Sequence, residues 1–276
     1  MSGDWIPEPG SFLVAITRWG RDQHQELSYL ASLLGVGAYD LRMRIMGQVP
    51  VVLAERLSHQ SAQSLCDLLQ TRGHGTVVCD KAEVKAGREM FLPRDFGFSP
   101  TVLTLTENQA SAGSIIAYDQ IVALVMATQA VEVLDEQQKT KKKFSASMAI
   151  ATGGLVRKKK VTKQLRSNQS ERESVLYMFC NAEPRHVFFQ ESRLHYKGLG
   201  QYMGLSRPEN FSKLVKLLRQ KAPGAMFDDS MFRHMRQRRF SSSAGVIKSS
   251  KTVHSNASEN DLIAWLIVLG HLAMQT

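Results

Sequence analysis

The chain has 276 residues, of which 43% are apolar and 22% are charged. This length allows two modest domains or one large one, and this composition excludes a wholly disordered chain. The formal net charge of +10 is unevenly distributed, because residues 137–251 carry 25 basic and 7 acidic side chains. A search for anionic partners therefore begins in that region.

The first predicted module alternates short apolar runs with helical patterns. Strands are predicted at 11–17, 51–54 and 76–79, and helices at 22–34, at about 39–46 and after Ser58. Ser58 is a favourable N-cap, and Gly73 stands where the C-terminus of a helix would be capped. The predicted order is βααβαβ, in which one face of each helix is buried on a small antiparallel sheet.

Several residues of this module carry a resemblance to a known family. They are Gly35 and Gly37 before the second helix, Pro50 before the second strand, and the last helix from Ser58 to Gly73. On these residues the chain resembles the C-terminal domain of the bacterial ribosomal stalk protein, over about residues 11–80. The resemblance implies the same fold for a domain at 1–85.

The resemblance also indicates a docking surface. In the stalk family, lysines on the second helix and its glycine loop dock translation factors. This sequence lacks those lysines and has Tyr39, Asp40, Arg42 and Arg44 at the corresponding positions. Tyr39, Arg42 and Arg44 are therefore the predicted partner-docking residues.

The second predicted module spans residues 86–230 and opens with the end of a connector at 81–99. Strand patterns follow at 101–106, 114–125, 174–180, 186–190 and 194–196, and the run at 114–125 is predicted to turn a corner between two strands. Residues 210–219 form an amphipathic helix that ends at Pro223 and Gly224. This set resembles bacterial pleckstrin-homology-like domains, which implies an antiparallel barrel with a closing helix.

A basic insert interrupts the second module at about residues 137–170, and we interpret it as a long, partly disordered loop. It predicts a surface that binds an anionic partner, which is nucleic acid, anionic lipid or an acidic protein segment, and the alternative is a solvated loop that aids solubility. Phe144 is its only aromatic residue, which weakens recognition of single strands. The candidate anion-binding residues are Lys141, Lys142, Lys143, Arg157, Lys158, Lys159, Lys160, Lys163 and Arg166.

The C-terminal part combines a linker with an apolar helix. Residues 231–257 are interpreted as a basic, serine-rich linker, and 258–276 as a helix capped by Ser258 and Asp261. A helix that is apolar on nearly every side must be buried. It docks either on the preceding domain or on a partner, and a second copy as that partner would give a homo-oligomer.

The sequence predicts no catalytic residue, no metal site and no cofactor. It lacks a nucleophile elbow, a phosphate-binding loop, a dinucleotide fingerprint and histidines at metal-ligand spacing. Cys66, Cys79 and Cys180 are interpreted as buried free thiols of a reducing compartment. The first ten residues lack the pattern of a secretory signal, which favours the cytoplasm. An enzyme with a site assembled from distant residues remains an alternative.

Together these features predict an α+β protein with a stalk-like module, a barrel-like module and a C-terminal helix. The predicted function is a non-catalytic adaptor that joins an unidentified protein partner to another protein or to an anionic surface. The alternative is a nucleic-acid or ribosome-associated binding factor that uses the basic insert together with Arg42 and Arg44.

Overall fold

A computed structural model describes residues 11–45, 49–82, 84, 90–107, 113–143, 159–181, 186–234, 252–255 and 257–275, with the backbone alone at 131–143, 159–171 and 252–255. The chain divides into two compact units. The smaller unit comprises Gln129–Arg172 and Arg239–Asn256, together with Met1, and the larger unit comprises Ser2–Thr128, Glu173–Arg238 and Ala257–Thr276.

The first module, in the larger unit, has the predicted order βααβαβ. Its elements are β1 (Phe12–Arg18), α1 (Gln23–Leu34), α2 (Ala38–Ile45), β2 (Val51–Arg56), α3 (His59–Thr71) and β3 (Gly75–Asp80). The three strands form an antiparallel sheet in the order β2-β1-β3. The helices cover one face of it and enclose a core that includes Val14, Ile16, Leu30, Leu41 and Leu69.

Local capping fixes the ends of these helices. The carboxylate of Asp22 accepts hydrogen bonds from the first-turn amides of α1, and Gly35 ends α1 with φ of 65°, a value that favours glycine. The hydroxyl of Ser58 accepts from the Ser61 amide at the start of α3, which confirms the predicted N-cap. The predicted helices therefore begin and end close to their capping residues.

The remaining elements start with a short strand that the sequence analysis placed inside a connector. They are β4 (Asp95–Phe98), β5 (Val102–Thr106), β6 (Ser114–Ala117), β7 (Ile121–Lys143), β8 (Lys159–Cys180), β9 (Val187–Gln190), α4 (Arg207–Lys221), β10 (Met226–Asp228), α5 (Ser230–His234), β11 (Thr252–Ser255) and α6 (Ala257–Leu272). Short 3-10 helices lie at Tyr118–Gln120, the predicted corner, and at Tyr196–Tyr202.

These strands form two further sheets. Strands β4, β5 and β6 pair in sequence order and antiparallel, whereas the other sheet has the order β10-β7-β8-β9, with β11 also paired to β7. The pairing of β10 with β7 is parallel. In the larger unit, α4 packs into a core shared by both sheets, through Phe211, Leu214, Val215 and Leu218. The described strands do not close into one barrel, so the chain is a mixed α+β protein with small sheets.

Two sequence predictions about this region are wrong. The insert was interpreted as a long loop, but 137–143 belong to β7 and 159–170 belong to β8, and the rest of the insert, 144–158, lies outside the described residues. Backbone hydrogen bonds between neighbouring strands do not require an apolar pattern, so a polar stretch can continue a strand that begins in the core. The strand predicted at 194–196 is not formed, because a 3-10 helix begins at Tyr196.

The segment interpreted as a linker also contains regular structure. Helix α5 and strand β11 fall within or overlap residues 231–257. The strand pairs antiparallel with residues 131–134 of β7. The prediction of a linker throughout is therefore wrong, and residues 235–251 lie outside the described residues.

Helix α6 lies between two sheets of the larger unit. On one side Leu266 packs on residues of β1 and β3, and on the other Ala264 and Val268 pack on residues of β7 and β8. No residue from 260 to 271 is exposed. The helix thus docks on its own chain, the first of the two alternatives that the sequence left open. Among the described helices, none has the length and apolar content needed to cross a bilayer.

Candidate functional site

Helix α2 presents the predicted docking residues to solvent. Its inner side is fixed by Leu41 and Ile45, which are 0% and 2% exposed in the core of the first module. The side-chain amide of Gln23, at the start of α1, donates to the carbonyl of Ile45 and ties the end of α2 to its neighbour. With this face fixed, the opposite face of α2 must be directed outward.

The outer side of α2 combines apolar and cationic side chains with one exposed carboxylate, that of Asp40. Tyr39 is 74% exposed and Met43 is 58% exposed. They are four residues apart, so they lie one above the other on the helix surface. Arg42 and Arg44 are also exposed, and neither forms an ion pair with another described residue. We define Tyr39, Arg42, Met43 and Arg44 as the α2 face.

The structure therefore keeps the three predicted docking residues on one short exposed helix and adds Met43. The sequence analysis missed Met43 because it followed only the positions of the stalk-family lysines. The spacing of four from Tyr39 could have indicated it, because residues at that spacing share a helix face.

The structure describes the backbone of only some of the predicted anion-binding residues in the basic insert. Their side chains are not described, so the structure does not show whether they form one surface. Lys141, Lys142 and Lys143 lie at the end of β7, Lys159, Lys160, Lys163 and Arg166 lie in β8, and Arg157 and Lys158 lie outside the described residues.

A buried ionic network in the first module has a structural role. The guanidinium of Arg72 donates to both carboxylate oxygens of Glu26, at 2.8 and 2.9 Å. The amide of Gly20 donates to Nδ1 of His74, so the ring proton is on Nε2, which faces Glu26 at 3.4 Å. The Arg72 guanidinium also stacks on the Tyr29 ring at 3.7 Å. Arg72 holds the pKa of Glu26 below its ordinary value, against the effect of burial.

In the core of the second module, burial is the main cause of the pKa shifts of Cys180 and His186. Burial raises the pKa of the Cys180 thiol to about 12, so the thiol stays protonated and is a poor nucleophile. Burial also lowers the pKa of His186, whose Nδ1 accepts from the Cys180 amide at 3.2 Å. Cys66, Cys79 and Cys180 are all free and buried, as the sequence predicted.

An open cleft of about 810 Å³ lies beside the 3-10 corner of the larger unit. Its principal polar groups already have partners within the chain. The Lys221 ammonium and the Tyr118 hydroxyl both donate to the carbonyl of Ser99 at 3.0 Å, and the His271 ring is 2.9 Å from the side chain of Gln275. The part of the chain with described side chains contains no cluster of three or more potential metal ligands.

Comparison of the chain with protein-family models, with curated proteins and with solved structures gave no match. The site is therefore interpreted from its own chemistry. The α2 face joins exposed apolar area to positive charge on a rigidly packed helix, and that combination is typical of a protein-binding surface.

Proposed function

We propose that this protein is a non-catalytic adaptor that binds a protein partner through the α2 face. The observation that carries the proposal is the exposure of Tyr39 and Met43, one turn apart, between two arginines without described ion-pair partners. Tyrosine and arginine are among the residues that contribute most to the affinity of protein interfaces. Methionine adapts its shape to different apolar surfaces.

The charge of the α2 face defines the partner it fits. Arg42 and Arg44 complement a segment that carries carboxylates, and Tyr39 and Met43 need an apolar side chain or groove opposite them. The partner is therefore an acidic protein segment with an apolar anchor. The buried, free thiols suit a reducing compartment, so we place this function in the cytoplasm.

Both stated resemblances support an adaptor. The stalk family uses its second helix for docking, and α2 is the second helix of a βααβαβ module here. The two sheets and helix α4 around one core support a pleckstrin-homology-like arrangement for the second module, which we propose in an incompletely closed form. Domains of that kind serve as binding modules, and neither likeness requires catalysis.

Capture of partners on immobilised full-length chain tests the proposal. The variant Tyr39→Ser/Met43→Ser removes the apolar part of the α2 face, and Leu57→Ser, at an apolar residue that is 80% exposed, is the matched control. We expect a bound protein to be retained by the control and lost from the double variant. Charge reversal by Arg42→Glu/Arg44→Glu should also release it, whereas replacement of both arginines by lysine should retain part of the binding.

The proposal fails if the set of bound proteins is the same for the wild type and the double variant. It also fails if Leu57→Ser removes the same protein, because the loss would then follow from any reduction of exposed apolar area. Circular dichroism should show that the variants are folded, since all of the substituted side chains are exposed.

The nucleic-acid or ribosome-associated factor is the second candidate, and one observation favours it. Residues 137–170 contain 10 basic and 0 acidic side chains. A surface that neutralises phosphates loses affinity steeply as salt rises, because bound counterions are released on binding. Filter binding of the full-length chain to RNA and to DNA, from low to moderate salt, tests this candidate. Undetectable binding at low salt would eliminate it.

A further inference from the structure

A short loop before helix α4 exposes three apolar side chains. Tyr202 is 57% exposed, Met203 is 55% exposed and Leu205 is fully exposed at 104%. We define residues 202–205 as the apolar knuckle. Exposed apolar residues are ordinary when single, but several on one loop mark a surface that is covered by something else.

The backbone of the knuckle is held by hydrogen bonds with two side chains of helix α4, Asn210 and Glu209. The Asn210 side chain, which is 6% exposed, accepts from the Gly204 amide at 2.5 Å and donates to the Gly204 carbonyl at 3.3 Å. The Glu209 carboxylate accepts from the Leu205 amide at 3.2 Å. A Cβ atom on Gly204 would lie 2.4 Å from the Glu209 carboxylate, so a larger residue there would displace that side chain from the loop. The fold therefore fixes the knuckle in its exposed position.

The segment of the chain that contains the knuckle has an excess of positive charge. Residues 192–221 contain seven basic and one acidic side chain. Arg193 pairs with Glu107 at 3.1 Å, and Lys213 pairs with Glu209 at 2.7 Å. Three further cations, at positions 197, 207 and 216, are exposed and form no ion pair with any residue whose side chain is described. An anionic surface would complement this excess.

We propose that the apolar knuckle inserts into the interface of an anionic lipid bilayer. Leu205 is fully exposed, and a bilayer can bury an exposed side chain without a preformed groove. Methionine and leucine side chains transfer favourably into the acyl region, and a tyrosine ring suits the headgroup level. Lys197, Arg207 and Lys216 then face anionic headgroups. This peripheral attachment does not depend on the α2 face.

Sedimentation of the full-length chain with vesicles tests the proposal. The vesicles contain either phosphatidylcholine alone or phosphatidylcholine with roughly 30% phosphatidylserine. We expect the wild type to bind the anionic vesicles and to be released by salt, because exposed charges are screened. Met203→Ser/Leu205→Ser should weaken this binding about tenfold or more, since burial of one large apolar side chain contributes about that factor.

Matched variants separate the knuckle from other surfaces. Leu57→Ser, at an equally apolar exposed residue, should bind vesicles as the wild type does, and so should Tyr39→Ser/Met43→Ser. Lys197→Glu/Lys216→Glu should weaken binding by about fivefold or more for each charge, the factor expected for one cation near an anionic surface.

Three outcomes would overturn the proposal. The wild type would show no preference for anionic vesicles, the knuckle variant would bind as the wild type does, or Leu57→Ser would lose binding equally. Retained binding by the knuckle variant would assign vesicle binding to another part of the chain, such as the basic insert. If no protein partner depends on the α2 face while vesicle binding depends on the knuckle, only the proposed function is refuted.

Discussion

Substitution of Leu266 by alanine is expected to lower the free energy of unfolding by about 3 kcal/mol. Leu266 is 0% exposed and packs with Leu13, Ala15 and Val77 where α6 meets the first sheet. The substitution removes the side-chain carbons beyond Cβ, at about 0.8 kcal/mol for each carbon. The cavity that remains adds to this transfer term, because packed cores relax only in part.

Urea denaturation followed by far-UV circular dichroism measures this effect. Leu272→Ala is the matched control, because Leu272 lies in the last turn of the same helix and is 39% exposed. We expect the control substitution to lower the free energy of unfolding by less than about 1 kcal/mol. Intrinsic tryptophan fluorescence, to which Trp19 and Trp265 contribute, should show the loss of stability at the same midpoint as circular dichroism. Equal costs for the two variants would refute the burial of α6 between the sheets.

Three further perturbations test other parts of the fold. Glu26→Gln should cost about 2–4 kcal/mol at neutral pH. Pairing lowers the folded-state pKa of Glu26 below its ordinary value of 4.5, so the wild type should lose this contribution as the pH falls below 4.5. Parallel pH–stability curves for the wild type and the variant would contradict this. Gly270→Ala should lower the free energy of unfolding, measured in urea, by about 1–3 kcal/mol. The reason is that the added Cβ would lie 2.7 Å from the Thr17 methyl group, and a more stable variant would refute that contact. The Cys180 thiol should react with an alkylating reagent only in denaturant, and mass spectrometry measures this reaction. Rapid labelling of the native chain would contradict the burial of Cys180.

The first module could be predicted from the sequence because its signals are local. A serine at an N-cap, a glycine with positive φ and an apolar period each act within a few residues of where they stand. Ser58 and Gly35 have those roles in the structure. The predicted ends of the elements are correct to within a few residues for the same reason.

The second module depends on pairing between distant residues, and a single sequence does not show it. Strand β10 pairs in parallel with residues 123–125, about a hundred residues earlier in the chain. The polar ends of β7 and β8 have no alternation that would distinguish a strand from a loop. The pattern therefore favoured a loop where the backbone continues as strand.

The location of α6 could not be predicted either. A helix that is apolar on every side shows that it is buried, but it has no polar face to show which surface covers it. In the structure its start is fixed by specific polar contacts. The Asn260 amide donates to the Thr128 carbonyl at 3.0 Å, and the Tyr177 hydroxyl donates to Asp261 at 2.9 Å. Such contacts depend on the folded arrangement and leave no local signal.

The candidate surfaces differ in how much of each was predictable. The exposed positions of Tyr39, Arg42 and Arg44 could be predicted because they correspond to the docking lysines of the stalk family on its second helix. The exposure of Leu205 could not, since an apolar residue before a helix usually packs on that helix. Here the side chains of Asn210 and Glu209 accept hydrogen bonds from the backbone amides of Gly204 and Leu205, and the Leu205 side chain is left exposed.

The position of α6 has a consequence for the proposed adaptor. Because α6 packs on sheets of both modules, the α2 face and the apolar knuckle belong to one packed body in the larger unit. A flexible linker would let a bound partner sample many positions relative to a bilayer, whereas a packed body fixes its distance and orientation. The protein would then hold an acidic partner at one height above an anionic membrane. Loss of α6 packing should therefore leave the distance between the bound partner and the membrane unfixed.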